Sequence, residues 1–167
     1  MDAKEAILSL MERQEFKDWS KQKKDIKEFY PVHLFAFFDQ NFMKECHVGF
    51  FDGEKGAMDT FALMNGGVQI NTEPELLKHT DAKIKPLELD RIKIGTEEAL
   101  DKLNGLMKEK YQKEGAEKIF FILQNIEQGQ VWNITTVTKS FNTLNVKIDS
   151  ETGEIIEDKL MSIFEFR

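Results

Sequence analysis

Gly95-Thr96-Glu97-Glu98-Ala99-Leu100-Asp101-Lys102-Leu103 is the stretch on which the reading of this chain turns. Ala99, Leu100, Leu103, Leu106, Met107 and Tyr111 recur at helical spacing and define one buried face. Thr96 is the expected N-cap, with Glu97 and Glu98 in the first turn, where the helix dipole favours anions. Gly115 is the expected stop. Residues 119–123, 131–137 and 144–149 are apolar or alternating runs and read as strands. Asp149-Ser150-Glu151-Thr152-Gly153 is a tight turn that returns the chain into Ile155-Ile156. The alternating tail, 161–166, is expected to pair as a last strand. The predicted unit is one helix followed by an antiparallel meander.

Upstream, residues 2–29 read as a single helix. Asp2 caps it, Ile7, Leu10 and Met11 start its apolar face, and Phe16, Trp19 and Ile26 continue it. Pro31 is expected to close it, because a residue before proline is pushed out of the helical region. Lys21, Lys23, Lys24 and Lys27 read as a solvated face. His33-Leu34-Phe35-Ala36-Phe37-Phe38 is continuous and apolar, the pattern of a central strand buried on both faces. Residues 47–51, 58–64 and 68–70 read as further strands, separated by turn signals at 39–41, 52–56 and 65–67. Residues 71–86 hold two prolines and read as a connection, with a short helical turn at 75–78. Leu87, Leu89, Ile92 and Ile94 are expected to form a short strand.

The two halves share a pattern. Phe35 answers to Phe120, Val48 to Trp132 and Phe61 to Leu144, an offset of about 84 residues. This divides the chain into an α-β-meander unit with linker over residues 1–86 and a second such unit over 87–167.

With 167 residues the chain can bury a sizeable core. A net charge of −7 and a pI near 5.1 oppose general binding to a phosphate backbone, which needs Lys and Arg. Cys46 is the single cysteine, so no intrachain disulfide forms. The first residues lack the apolar core of a signal peptide, and no run reaches the roughly 20 apolar residues of a membrane helix. For a complete chain, these features lead to the expectation of a cytoplasmic protein.

The second half resembles a known family. Ile92-Lys93-Ile94, then Gly95-Thr96-Glu97-Glu98-Ala99-Leu100, then Val146-Lys147-Ile148-Asp149-Ser150-Glu151-Thr152-Gly153-Glu154-Ile155-Ile156 resembles a PepSY domain over roughly residues 92–160. Sequences of that family open their helix with a similar Glu-Glu-Ala and close on a similar Val-x-Ile-Asp-x-x-Thr-Gly hairpin. The first half would be a divergent copy, with Asn65-Gly66-Gly67 only roughly in place of the Asp-x-x-Thr-Gly turn. The resemblance implies a regulator of peptidases or a binder of other partners. It implies no catalytic residue.

Candidate chemistry is sparse. Cys46 and His47 are adjacent and His33 lies on the neighbouring strand, but zinc spacing is missing and adjacent strand residues point to opposite faces. A nucleophilic Cys46 would need His33 across a hairpin as its base. The pairs Glu97/Glu98, Asp149/Glu151 and Glu157/Asp158 sit where acids cap and solvate rather than in apolar pockets. No phosphate-binding glycine loop or serine nucleophile motif occurs. Asn133-Ile134-Thr135 matches a glycosylation sequon but reads as strand. The aromatics Phe29, Tyr30, Phe35, Phe37, Phe38, Phe42, Phe50, Phe51 and Phe61 exceed what one sheet face buries, so some are expected on a contact surface.

The fold class expected is α+β, two helix-plus-antiparallel-meander units, PepSY- or cystatin-like. The expected function is a non-catalytic binding or regulatory module acting on a protein partner or by self-association. The alternative is a small-molecule-binding protein with its cavity between helix and curved sheet. No enzyme activity, catalytic residue, cofactor or metal is expected, and neither nucleic acid nor membrane is an expected partner. The place to look for a site is the junction of the two units.

Overall fold

The computed structural model of the chain describes residues 2–23, 29–39, 42–53, 56–64, 67–73 and 84–163. Its frame is a strand, β1 (Phe29–Asp39), which carries a neighbour on each side. On one side lie β2 (Phe42–Asp52), β3 (Ala57–Met64) and β4 (Gly67–Glu73) as a meander. On the other lie β5 (Ala116–Ile126), β6 (Gly129–Thr138), β7 (Asn142–Asp149) and β8 (Ile155–Ser162). All pairings are antiparallel, and the order is β4-β3-β2-β1-β5-β6-β7-β8.

This corrects the expected fold class. The chain is not two helix-plus-meander units but one eight-stranded sheet with short helices against it. The join is made by β1 and β5, whose residues pair from His33↔Gln124 to Asp39↔Lys118. Both are long aromatic strands with a free edge once their own meanders have formed, and an unpaired edge in the middle of the chain would leave backbone groups without partners.

Helices α1 (Ala3–Glu12) and α2 (Gln14–Lys21) cover one face of the β1–β4 half, and α3 (Thr96–Lys110) covers the same face of the other half. The single helix expected over 2–29 is thus broken. Arg13 is extended (ψ 148°) and splits it, and β1 has begun by Phe29. Pro31 lies inside β1 rather than ending a helix. It sits at a register shift before the β5 pairing starts, a place where a missing N–H costs the ladder little. Asp2 does cap α1, accepting from the Glu5 N–H at 3.0 Å. At α3 the cap is Gly95, with Thr96 already helical and buried, and the helix ends at Lys110, before Gly115.

The strands at 87–94 and 161–166 are also revised. The first is an extended connection with one 3-10 turn, Leu89–Arg91, outside the sheet. The second is the end of β8, which runs unbroken from Ile155 to Ser162, residues 164–167 being outside the described part. The helical turn expected at 75–78 lies outside the described residues as well.

The core fills the space between helices and sheet. Phe16 and Trp19 of α2 meet Phe50 and Phe61, with ring centroids 4.9–6.0 Å apart. Leu103, Phe121, Trp132 and Ile134 fill the other half with no solvent exposure. β1 is not buried on both faces: its burial alternates, Leu34, Ala36 and Phe38 inward and His33, Phe35 and Phe37 half-buried on the opposite face.

Candidate functional site

That opposite face is where the chemistry gathers. Strand register places Glu157, Lys147, Asn133, Ile122, Phe35, His47, Ala62 and Gln69 in one row across all eight strands. The row changes character along its length. Over β6–β8 it is polar and internally bonded: Asn145 donates to Asn133 at 2.7 Å and Lys147 pairs with Glu157 at 2.9 Å. Over β1, β2 and β5 it is aromatic. Phe37 stacks on Phe120 across the β1–β5 join at 5.0 Å, Phe35 meets His47 at 5.6 Å, and Tyr30 meets Phe51 at 5.5 Å.

A cavity of about 460 Å³ opens on this face, lined by His33, Phe35, His47, Met58, Ile122 and Gln124. Its position follows from Gly49, which pairs with His33. A Cβ on Gly49 would stand 2.1 Å from the His33 ring, so that imidazole lies over the bare backbone of β2. Burial, with a smaller contribution from nearby His47, holds the His33 pKa below the ordinary histidine value, so the ring is neutral at neutral pH.

A pH dependence follows. A histidine whose folded pKa is lowered costs nothing above the unfolded value near 6.5, and it destabilises as pH falls through that value, because only the unfolded chain takes the proton. Between pH 7.5 and 5.0 the wild-type chain should therefore lose more stability than His33→Gln. The excess slope should be at most about 1.4 kcal/mol per pH unit, measured by urea denaturation at each pH. Equal slopes would place the ring in water.

The residues singled out beforehand fall on two sides. Cys46 pairs with Ala36 and faces the helices, buried, and burial pushes its thiol up to about 11. His33 and His47 face the other way, so the sheet stands between cysteine and imidazole. Among the described residues no group of three or more His, Cys, Asp or Glu is arranged to hold a metal ion. Asp149 accepts from the N–H groups of Glu151 and Thr152; burial raises its pKa, but those bonds outweigh it and the net shift is downward. Asp158 is lowered by hydrogen bonds from Lys110 and Tyr111, and Glu157 by Lys147. These three carboxylates are thereby held ionised, the opposite of a proton donor's requirement.

Of the aromatics, Phe29, Phe38, Phe50 and Phe61 are core, whereas Tyr30, Phe35, Phe37 and Phe51 are half-buried on the open face. The Phe42 side chain lies outside the described part. Of the lysine cluster, Lys24 and Lys27 lie outside the described residues, and the solvated-face reading fails at Lys23. Lys23 turns inward onto Asp52 and Asp59, at 2.7 and 3.1 Å, whereas Lys21 pairs with Asp18 on the surface. Nothing in a Lys-rich run marks which member is buried.

Fold and site together describe a sheet-dominated protein, one face of its eight-stranded antiparallel sheet packed by short helices and the other carrying an aromatic patch. No family model and no curated protein matches the chain, so the PepSY resemblance rests on the residues quoted for it. Among solved structures, a candidate lipoprotein from Clostridium difficile 630 has a similar fold, with a TM-score of 0.56 and 15% identity over 90% of this chain and 97% of that one. Among the described residues no helix is long and apolar enough to cross a membrane.

Proposed function

We propose that the protein is a non-catalytic binding module that docks a protein partner on the open face of its sheet. The observation that carries this reading is the Phe37–Phe120 stack, half-exposed at the β1–β5 join and continued by Phe35. Aromatic groups presented from a rigid sheet are the usual energetic centre of a protein interface. The space between helix and sheet, where a small ligand was the alternative, is occupied by Trp132, Phe121 and Leu103. The protein of similar fold is described as a candidate lipoprotein, which favours a cell-surface setting; cell fractionation tests this.

Phe37→Asp and Phe120→Asp, made singly, test the proposal against Leu8→Asp, an exposed position on α1. Both phenylalanine variants should stay folded by circular dichroism. In cross-linking followed by mass spectrometry, each should lose at least about tenfold of the partner that wild type and Leu8→Asp retain, the effect of removing a hot-spot aromatic. A partner retained equally by all four chains would falsify the reading.

A further inference from the structure

We infer that the cavity over His33 and His47 receives an uncharged aromatic ring bearing one hydrogen-bonding group, supplied by the partner that the open face docks. The inference rests on the binding-face reading above and names what that face recognises.

Three features of the lining select this chemistry. The first is charge. Among the described residues no Lys, Arg, Asp or Glu lines the cavity; the Glu45 carboxylate, 3.7 Å from His47, is not part of the lining. An ionised ligand would give up its hydration without meeting a Lys, Arg, Asp or Glu in the lining itself. The second is shape and surface. Phe35, Ile122 and the Met58 thioether form apolar walls, and Phe35 already holds the His47 ring at a tilted, offset angle of 46°. Rings and thioethers of this kind favour another ring over an aliphatic chain of equal area. The third is the polar set. His33, His47, Thr60 and Gln124 all present hydrogen-bonding atoms, and the His33 ring is held in place by the backbone of Gly49. One hydroxyl or N–H on the incoming ring can be donated to an imidazole nitrogen or amide oxygen and, for a hydroxyl, can accept in return. The volume of about 460 Å³ suits a ring with a short appendage and lies within the roughly 300–1,000 Å³ of small-ligand sites.

The test uses the whole chain and four probes: p-cresol, N-acetyl-tyrosinamide, toluene and cyclohexanol. Binding is read from the imidazole NMR signals of His33 and His47 during titration. The expected result is that p-cresol and N-acetyl-tyrosinamide both shift these signals. Toluene, without a hydroxyl, and cyclohexanol, without a ring, should bind about tenfold more weakly, the worth of one hydrogen bond or one ring contact. His47→Leu should weaken p-cresol about tenfold and leave toluene unchanged. Gly49→Val, which displaces the His33 ring, should weaken both phenols. Should that variant unfold, His47→Leu and the four probes decide alone.

Binding of p-cresol without N-acetyl-tyrosinamide supports the ring site but assigns it to a free small aromatic, and it counts against the protein-partner reading. No shift with any aromatic probe overturns the inference, as does equal binding of cyclohexanol and p-cresol. Either leaves the Phe37 and Phe120 variants to judge the docking face by themselves.

Discussion

Lys23→Met is expected to cost about 3–5 kcal/mol of folding stability at neutral pH, the range found when a buried ion pair loses one partner. The Lys23 ammonium lies 2.7 Å from Asp52 and 3.1 Å from Asp59, and all three side chains are almost wholly enclosed. Trp19 also donates its indole N–H to Asp59 at 2.9 Å, and the ammonium sits 4.8 Å from the Trp19 and Phe29 rings. The cluster therefore ties the end of α2 to β2 and β3. Removing the ammonium takes the lysine's charge away from two buried carboxylates.

Burial alone would pull the Lys23 pKa down, but the hydrogen bonds to Asp52 and Asp59 outweigh it, and the net shift is upward. A lysine raised in this way stabilises fully below its unfolded value near 10.4 and loses that contribution only as pH climbs through the folded one. Lys23 therefore stabilises throughout the neutral range. Denaturation midpoints of wild type, Lys23→Met and Lys23→Met/Asp52→Asn/Asp59→Asn decide the cause. If unbalanced charge is responsible, the triple variant should recover much of the loss, since neutralising a whole buried cluster is often tolerated. If the triple variant is no better than the single one, packing around the lysine stem is responsible instead. The consequence reaches the open face, because Met58 and Thr60 flank Asp59 on β3 and point the other way, into the cavity.

How much of this was legible in the sequence depends on which physical signal each feature carries. Strands at 33–38, 119–123 and 144–149 were readable because apolar content and alternation report local burial. The Asp149–Gly153 turn was readable because its side-chain bonds and the φ of +72° at Gly153 are local too. The merging of the meanders was not. Whether β1 pairs with β5 depends on which strand edges remain free, and no residue in 33–39 marks an edge. The same difficulty hid the open face. Phe35 and Phe37 are as apolar as Leu34 and Phe38, so the run looked buried on both sides, although one side is a contact surface. The site residues were noticed as Cys46, His33 and His47, but only the register showed that the histidines share a face with Phe35 and that the cysteine does not. Gly49, the residue that seats His33, carried no turn signal and was passed over.

Trp132→Ala is the other change with a large expected effect, about 3–5 kcal/mol, because it empties the largest side chain in the fully buried core. Part of the loss is not volume. The Trp132 indole donates to the Ile94 carbonyl at 2.8 Å, fixing the connection that leads into α3. Lys93 and Ile94 also donate to the Ser150 carbonyl at 2.9 and 3.0 Å, and Gln130 bonds both Glu88 and Ser150. The approach to α3 is thus hung from the ends of β6 and β7. Trp132→Phe keeps most of the apolar body and removes the donor, so it should cost about 1–3 kcal/mol, the penalty of an unsatisfied buried carbonyl. Hydrogen exchange adds a readout that lost volume alone would not produce. In Trp132→Phe the amides of Lys93 and Ile94 should exchange faster, while those of β1 and β2 remain as protected as the reduced global stability allows. Uniform loss of protection across both halves would mean that the indole acts only as filling. A wild-type midpoint for Trp132→Ala would mean that α3 is held to the sheet by other contacts, with Leu103 and Met107 the next to replace.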